Sequence, residues 1–169
     1  ALGMAHDRAG DHDRARTCYH RVILEADRVR NPGVRASASN NLAVMEYRLG
    51  DPAAAAEGFR TAYHTERDSA LLTDRVTEGT NLAICQAELG RYRDALALLD
   101  TLLQVSHKRG FITHQGKILL ERGDILRQQG RWNESARCLR QALDLSVTGL
   151  VKDQVESATF SGNNLELRN

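Results

Sequence analysis

The stretch LAVMEYRLGDPAAAAEGF, residues 42–59, has a near twin forty residues on, LAICQAELGRYRDALALL, residues 82–99. Both carry a Leu-Ala pair, then a glycine, then an alanine and a large apolar residue at matching places: Leu42, Ala43, Gly50, Ala55, Phe59 and Leu82, Ala83, Gly90, Ala95, Leu99. Working outward, Gly10 and Gly130 fall in the same glycine column, in the contexts RAGD, RLGD, ELGR and QQGR. Ala15 and Ser135 join the alanine column, Tyr19 and Leu139 the large apolar one. Val22, Ala62, Leu102 and Ala142 form a further column, and Gly3, Ala43, Ala83 and Gly123 a small-residue column ahead of the glycines. Leu2, Leu42 and Leu82 precede three of those small residues. Arg122 stands in the fourth place, where either its stem packs with the charge reaching water or the fourth repeat packs differently.

Each column has a physical reading. A glycine accepts the left-handed conformation that commonly ends a helix. Ala15, Tyr19 and Val22 are spaced i, i+4, i+7, one face of a helix, and so are Ala55, Phe59 and Ala62. Small residues let helices approach closely. Each repeat is therefore a helical hairpin turning at its glycine, and stacked neighbours must cover its apolar face. The pattern predicts first helices near 1–9, 34–49, 72–89 and 112–129, and second helices near 12–30, 52–69, 92–108 and 132–146. Asn31-Pro32-Gly33 is the clearest break between repeats.

Composition agrees. Apolar residues make up 41% of the 169, but aromatics only 5%, so the core is mostly Ala, Leu and Val. A net charge of +1 gives no general attraction to nucleic acid or anionic membrane. Arg outnumbers Lys 20 to 3, which we read as coding preference rather than phosphate recognition. Cys18, Cys85 and Cys138 are odd in number and widely spaced, which speaks against a disulfide framework or zinc site and for reduced thiols in a cytoplasmic protein. No apolar run approaches the roughly 18 residues of a membrane span. No signal peptide is visible, and the start at Ala1 suggests a piece of something longer.

These columns resemble the tetratricopeptide repeat family. The carriers are the small residue of the first helix, the glycine turn, the Ala–aromatic–Ala series of the second helix, and Tyr92 and Trp132 just after the turn. The usual repeat has about 34 residues; this one has 40. The proline that often closes the family's second helix is replaced by Asp27, Arg67, His107 and Val147, so the helices can run longer. Long repeats with NNLA are similar to those of kinesin light chains and of bacterial MalT-type or peptide-pheromone-responsive regulators. The resemblance implies an all-α, right-handed superhelical solenoid of about four helix-turn-helix hairpins. We expect one array over 1–169, with repeats at about 1–33, 34–71, 72–110 and 111–150. Residues 151–169 would form a C-terminal helix or cap, helical to about residue 160 and frayed beyond.

In this family the first helices line the concave face, where ligands commonly bind. Asn41 and Asn81 occupy one column there. Two readings stand. Their amides, donor and acceptor together, grip the backbone of an extended peptide, as the resemblance to pheromone receptors implies. Or they hydrogen-bond between neighbouring helices and hold the stack in register. The other groove positions are Ser37, Asn40, Val44, Tyr47 and Arg48; Thr77, Thr80, Ile84 and Glu88; and Lys117, Leu120, Glu121, Asp124, Arg127 and Gln128. Glu121 replaces the asparagine, and Glu121 and Asp124 stand where a chaperone-adaptor carboxylate clamp would need positive charge.

HDRAGDHD, His6 to Asp13, has no recognised metal-ligand spacing and reads as a solvated turn. His107 and His114 read as surface residues, Cys85 as buried, and Cys18 and Cys138 as packing or half-exposed. No phosphate loop, nucleophile triad or HExxH motif occurs. We therefore expect no catalysis, cofactor or metal. The expected function is protein or peptide binding in the groove, as a segment of a larger bacterial regulator, without direct contact to nucleic acid or membrane. The alternative is self-association, as a homodimer through open solenoid ends.

Overall fold

The computed structural model describes residues 2–65 and 72–147. They form eight helices and no strand: α1 (Leu2–Arg8), α2 (His12–Arg28), α3 (Pro32–Arg48), α4 (Pro52–Thr65), α5 (Leu72–Glu88), α6 (Tyr92–Arg109), α7 (Ile112–Gln128) and α8 (132–147). The all-α helical-hairpin fold read from the columns is the one observed. The expected reach of α4 to residue 69, and everything from 148 onward, lies outside the described residues. One boundary moves. Pro32 and Gly33 already belong to α3, because Asn31 is its N-cap and accepts the Val34 amide at 3.1 Å. Proline suits the first helical position, where its missing N–H costs nothing.

The connections share one design. After α1, Gly10 takes φ 78° and donates to the Asp7 carbonyl, while the Asp11 amide reaches the His6 carbonyl. This paired closure is the Schellman arrangement. It recurs at Gly50, Gly90, Gly110 and Gly130, all at positive φ, and also at Arg30, whose φ is 53°. The residue that closes each turn also starts the next helix: the carbonyls of Asp11, Asn31, Asp51, Arg91, Phe111 and Arg131 each accept the amide four residues on. Three residues thus reverse the chain and satisfy end groups of both helices.

The chain divides into two compact units, residues up to Leu102 and residues from Leu103, the division falling within α6. In the first unit α1 packs on α2, α2 on α3, α3 on α4 and α4 on α5. Ala15, Tyr19, Leu42 and Met45 make one buried cluster, with Ile23 against it. Ala43, Ala55, Ala56, Phe59, Leu82 and Cys85 make the next, with Leu98 beside it. The buried Glu46 carboxylate is held by Arg16, whose Nε and Nη2 donate at 2.6 and 2.9 Å, so α2 and α3 also share a paired charge. Within the second unit Ile118, Leu119, Ile125, Leu126, Cys138 and Ala142 are buried. Arg122 departs from its leucine column there. Its half-buried stem carries a guanidinium that donates to the Cys138 sulfur at 2.9 Å.

Val22 also departs. Ala62 and Leu102 in its column are 0% and 3% exposed, but Val22 is 42% exposed. The described α1 has seven residues where α5 has seventeen, and it is the forward half of α5 that brings Gly79 onto Leu102.

Close approach explains Gly58, within α4. A Cβ built there would lie 2.8 Å from Ala43 Cβ and 2.9 Å from the Ser39 carbonyl oxygen. Neither neighbour can swing away, so Gly58→Ala is expected to cost about 1–3 kcal/mol through overpacking, measured by urea denaturation. Arg30 is the reverse case. A non-glycine residue in the left-handed region carries a cost that glycine does not. Arg30→Gly is therefore expected to stabilise by about 0.5–1 kcal/mol. An unchanged or lower denaturation midpoint would show that the turn holds no such strain.

Candidate functional site

Helical spacing puts Ser37, Asn41, Val44 and Arg48 on one side of α3, while Ala38, Leu42 and Met45 turn inward and are buried. The repeated columns produce repeated hollows. A cavity of about 500 Å³ lies among α1, α2 and α3, lined by Met4, Tyr19, Val34, Ser37 and Asn41 among others. A second, of about 230 Å³, is lined by Val44, Tyr47, Arg48, Phe59, Asn81 and Ile84. Met4 and Val44, Tyr19 and Phe59, and Asn41 and Asn81 stand forty residues apart in pairs, so three columns recur in both. In each, an aromatic ring that is 6% or 3% exposed forms the floor, and an asparagine stands at the wall.

Asn41 and Asn81 are half-buried. Among the described residues, neither side-chain amide hydrogen-bonds to a neighbouring helix. Other groups link the first helices. Arg48 donates from Nη1 and Nη2 to the two Asp7 carboxylate oxygens at 3.2 and 3.1 Å, joining α3 to α1. The Tyr47 hydroxyl donates to the Glu88 carboxylate, joining α3 to α5. Both links span 41 residues, so one pair of columns ties consecutive repeats by two chemistries. The Asp7 carboxylate also lies 3.4 Å from His12 Nδ1. Tyr47, Arg48 and Glu88 are thus exposed yet already engaged within the protein. The sequence reading missed Asp7 as their partner. The signal was the 41-residue step from Asp7 to Arg48, visible only when adjacent columns are compared.

The remaining groove positions divide. Asn40, Thr77 and Ile84 are half-buried, and Ser37 and Val44 exposed. The Thr77 hydroxyl donates to the Thr73 carbonyl of its own helix at 3.1 Å. Thr80 does not face a groove. It is 1% exposed, and its hydroxyl donates to the Val76 carbonyl at 2.8 Å, which satisfies it inside the core. In the second unit Lys117, Leu120, Asp124, Arg127 and Gln128 are exposed, and Arg127 pairs with Asp124 at 3.1 Å. Glu121 is half-buried. Burial pushes its carboxyl above the ordinary range; Lys117 opposes this and Asp124 adds to it.

The weaker candidates find ordinary places. His6 to Asp13 forms the α1–α2 turn, where Asp11 caps α2 by accepting the Arg14 amide at 3.2 Å. His107 is exposed, and the half-buried His114 rests 5.7 Å from the Phe111 ring. Cys85 is fully buried, its thiol pushed up to about 12 chiefly by desolvation, which leaves almost no thiolate at neutral pH. Cys138 is buried and Cys18 half-buried. Among the described residues no helix is long and apolar enough to cross a membrane.

Glu121 gives a test of this electrostatic picture. Its folded value is raised, so the folded state favours the protonated form, and the contribution to stability is lost as pH rises through the folded value. Glu121→Gln removes that loss. The variant is expected to melt higher than the parent near pH 7, with the gap closing below the ordinary glutamate value of about 4.3. Thermal melts across that range would show a pH-independent gap if burial were not the cause.

Comparison with known proteins bears on the same columns. Two family models, each described as tetratricopeptide repeat, match residues 1–70 and 75–146. No curated protein matches the sequence. Similar solved structures include BtubC (BKLC) from P. vanneervenii, at 16% identity over 87% of this chain and 61% of that one, with a TM-score of 0.74. Aspartyl phosphate phosphatase F from Bacillus subtilis is 14% identical over 94% of this chain and 42% of that one, with a TM-score of 0.77. A kinesin-light-chain-like protein of nearly identical repeats from P. anserina is 15% identical over 88% of this chain and 73% of that one, with a TM-score of 0.75. The chain therefore spans less than two thirds of the first two of these proteins, and at such identities the likeness is one of fold.

Proposed function

The chain belongs to the tetratricopeptide repeat family, and from that premise we propose that it binds an extended segment of a partner protein along its first helices. The observation that carries this reading is the pair of half-buried amides, Asn41 and Asn81, each beside an apolar cavity and neither bonded to a neighbouring helix among the described residues. A side-chain amide matches the donor and acceptor of a peptide backbone, so it grips an extended chain whatever its sequence. A bound helix would offer no such groups, because its own backbone bonds consume them. The groove on this reading comprises Asn40, Asn41, Val44, Tyr47, Arg48, Thr77, Asn81, Ile84 and Glu88 in the first unit, and Lys117, Glu121, Asp124 and Arg127 are the candidates at the matching columns of the second.

We place this array, as one repeat array through residues 1–169, in a larger cytoplasmic bacterial regulatory protein without a catalytic centre of its own. Support for the bacterial setting is the fold shared with the Bacillus subtilis phosphatase. The competing reading is self-association. Pairing of that kind would use exposed apolar residues of α2 and its C-terminal end, where Val22, Leu24 and Val29 are 42%, 69% and 59% exposed.

The double variant Asn41→Ala, Asn81→Ala separates these ideas. It is expected to lower capture of a bound peptide about tenfold or more, by two hydrogen bonds of about 0.5–1.5 kcal/mol each, while leaving the melting temperature within about 1–2 °C. Full-strength capture, or a lost fold, would overturn the groove reading. Light scattering reads the rival directly: a dimer at micromolar concentration that Val22→Glu dissociates would favour self-association.

A further inference from the structure

The cavity beside Asn81 draws its lining from three helices, α3, α4 and α5. Phe59 forms its floor at 3% exposure. Val44, from α3, and Ile84, from α5, supply aliphatic groups one repeat apart. The polar groups at its edge are accounted for: the Tyr47 hydroxyl goes to Glu88 and the Arg48 guanidinium to Asp7. The Asn81 amide is bonded to no neighbouring helix among the described residues. At about 230 Å³ the cavity falls below the roughly 300–1,000 Å³ of sites that enclose a whole small molecule. It is of a size for one large side chain.

We infer that this cavity is a specificity pocket, which takes one large apolar side chain of the bound segment while Asn81 holds the backbone beside it. The inference rests on the groove reading above and adds to it what the groove selects. Charged side chains are excluded, because Val44, Phe59 and Ile84 offer no partner and entry would strip the charge of water. Small side chains are disfavoured, because they would fill little of the roughly 230 Å³ and forgo most of the contact with Val44, Phe59 and Ile84. The columns Met4, Tyr19 and Asn41 repeat the arrangement one hairpin earlier. At about 500 Å³ that cavity is roomier than one side chain needs, so the side-chain selection is assigned to the pocket beside Asn81.

The test is selection of random seven-residue peptides displayed on phage against the full chain, followed by fluorescence anisotropy with a selected peptide. The selected sequences are expected to share at least one column of Leu, Ile, Met or Phe. Replacing that residue with Ala in the peptide is expected to weaken binding about tenfold or more, as for the loss of a buried apolar side chain. Val44→Trp, at a position already 38% exposed, is expected to fill the pocket and abolish the preference without changing the melting temperature. Ile84→Ala is expected to move the preference toward larger aromatic residues, a change that a merely structural role would not produce. Selected peptides that need Asn41 and Asn81 but share no apolar column would overturn the pocket and leave the groove. Failure to select any peptide would overturn both.

Discussion

One backbone constraint sets the rest: a three-residue reversal whose middle residue is left-handed. Gly10, Arg30, Gly50, Gly90, Gly110 and Gly130 adopt it, at φ from 53° to 82°. Turns within hairpins and between them are therefore the same object, recurring in steps of twenty residues. Seventeen helical residues and three turn residues make up that step, as α2, α3, α5 and α7 display. Two steps give the forty-residue period. The long repeat follows from helix length alone, in place of the shorter form in which proline stops the second helix.

A fixed step fixes which side chains meet. Because α2, α3, α5 and α7 have the same length, a residue keeps its place relative to the turn, and small residues recur where backbones approach. Gly58 meets Ala43 and the Ser39 carbonyl, Gly79 meets Leu102 and Tyr63, and Gly123 meets Leu139. Aromatic rings appear in the first unit where a repeat has room beneath its first helix, as Tyr19 and Phe59 show. The same periodicity that stacks the core repeats the hollows above it, which is why Asn41 and Asn81 stand in equivalent surroundings.

Much of this was legible in the sequence, and the misses share a cause. Helix positions came from glycine and alanine columns, which report backbone needs and tolerate little change. The turn at Arg30 was missed because an arginine does the work of a glycine there. The connection at 109–111 is legible from the helix spacing, but Gly110 belongs to no glycine column, because a forty-residue comparison pairs it with positions 30 and 70, neither of which is glycine. Spacing alone puts Thr80 in the groove beside Asn81, but a threonine hydroxyl can bond its own helix and so be buried without penalty. Arg122 was readable as an anomaly, not as a donor to Cys138, because that bond depends on a column from the facing helix. Side-chain pairing between repeats is the part that one column at a time cannot express.

That pairing bears on how the candidate groove works. The links Asp7 to Arg48 and Tyr47 to Glu88 run between consecutive first helices, on the side that carries the asparagines. They fix the separation of α1, α3 and α5 with groups that a peptide backbone does not need. On the proposed reading the amides would then be left to a ligand, on helices already held apart by other groups. Ordering a flexible surface would cost part of the binding energy, about 0.5–1.5 kcal/mol for each immobilised side chain. A groove braced in advance avoids part of that cost. In the second unit the amide gives way to Glu121, whose burial already works against its charge. An ionised carboxylate only accepts hydrogen bonds, so on the proposed reading the paired donor and acceptor of Asn41 and Asn81 belong to the first unit.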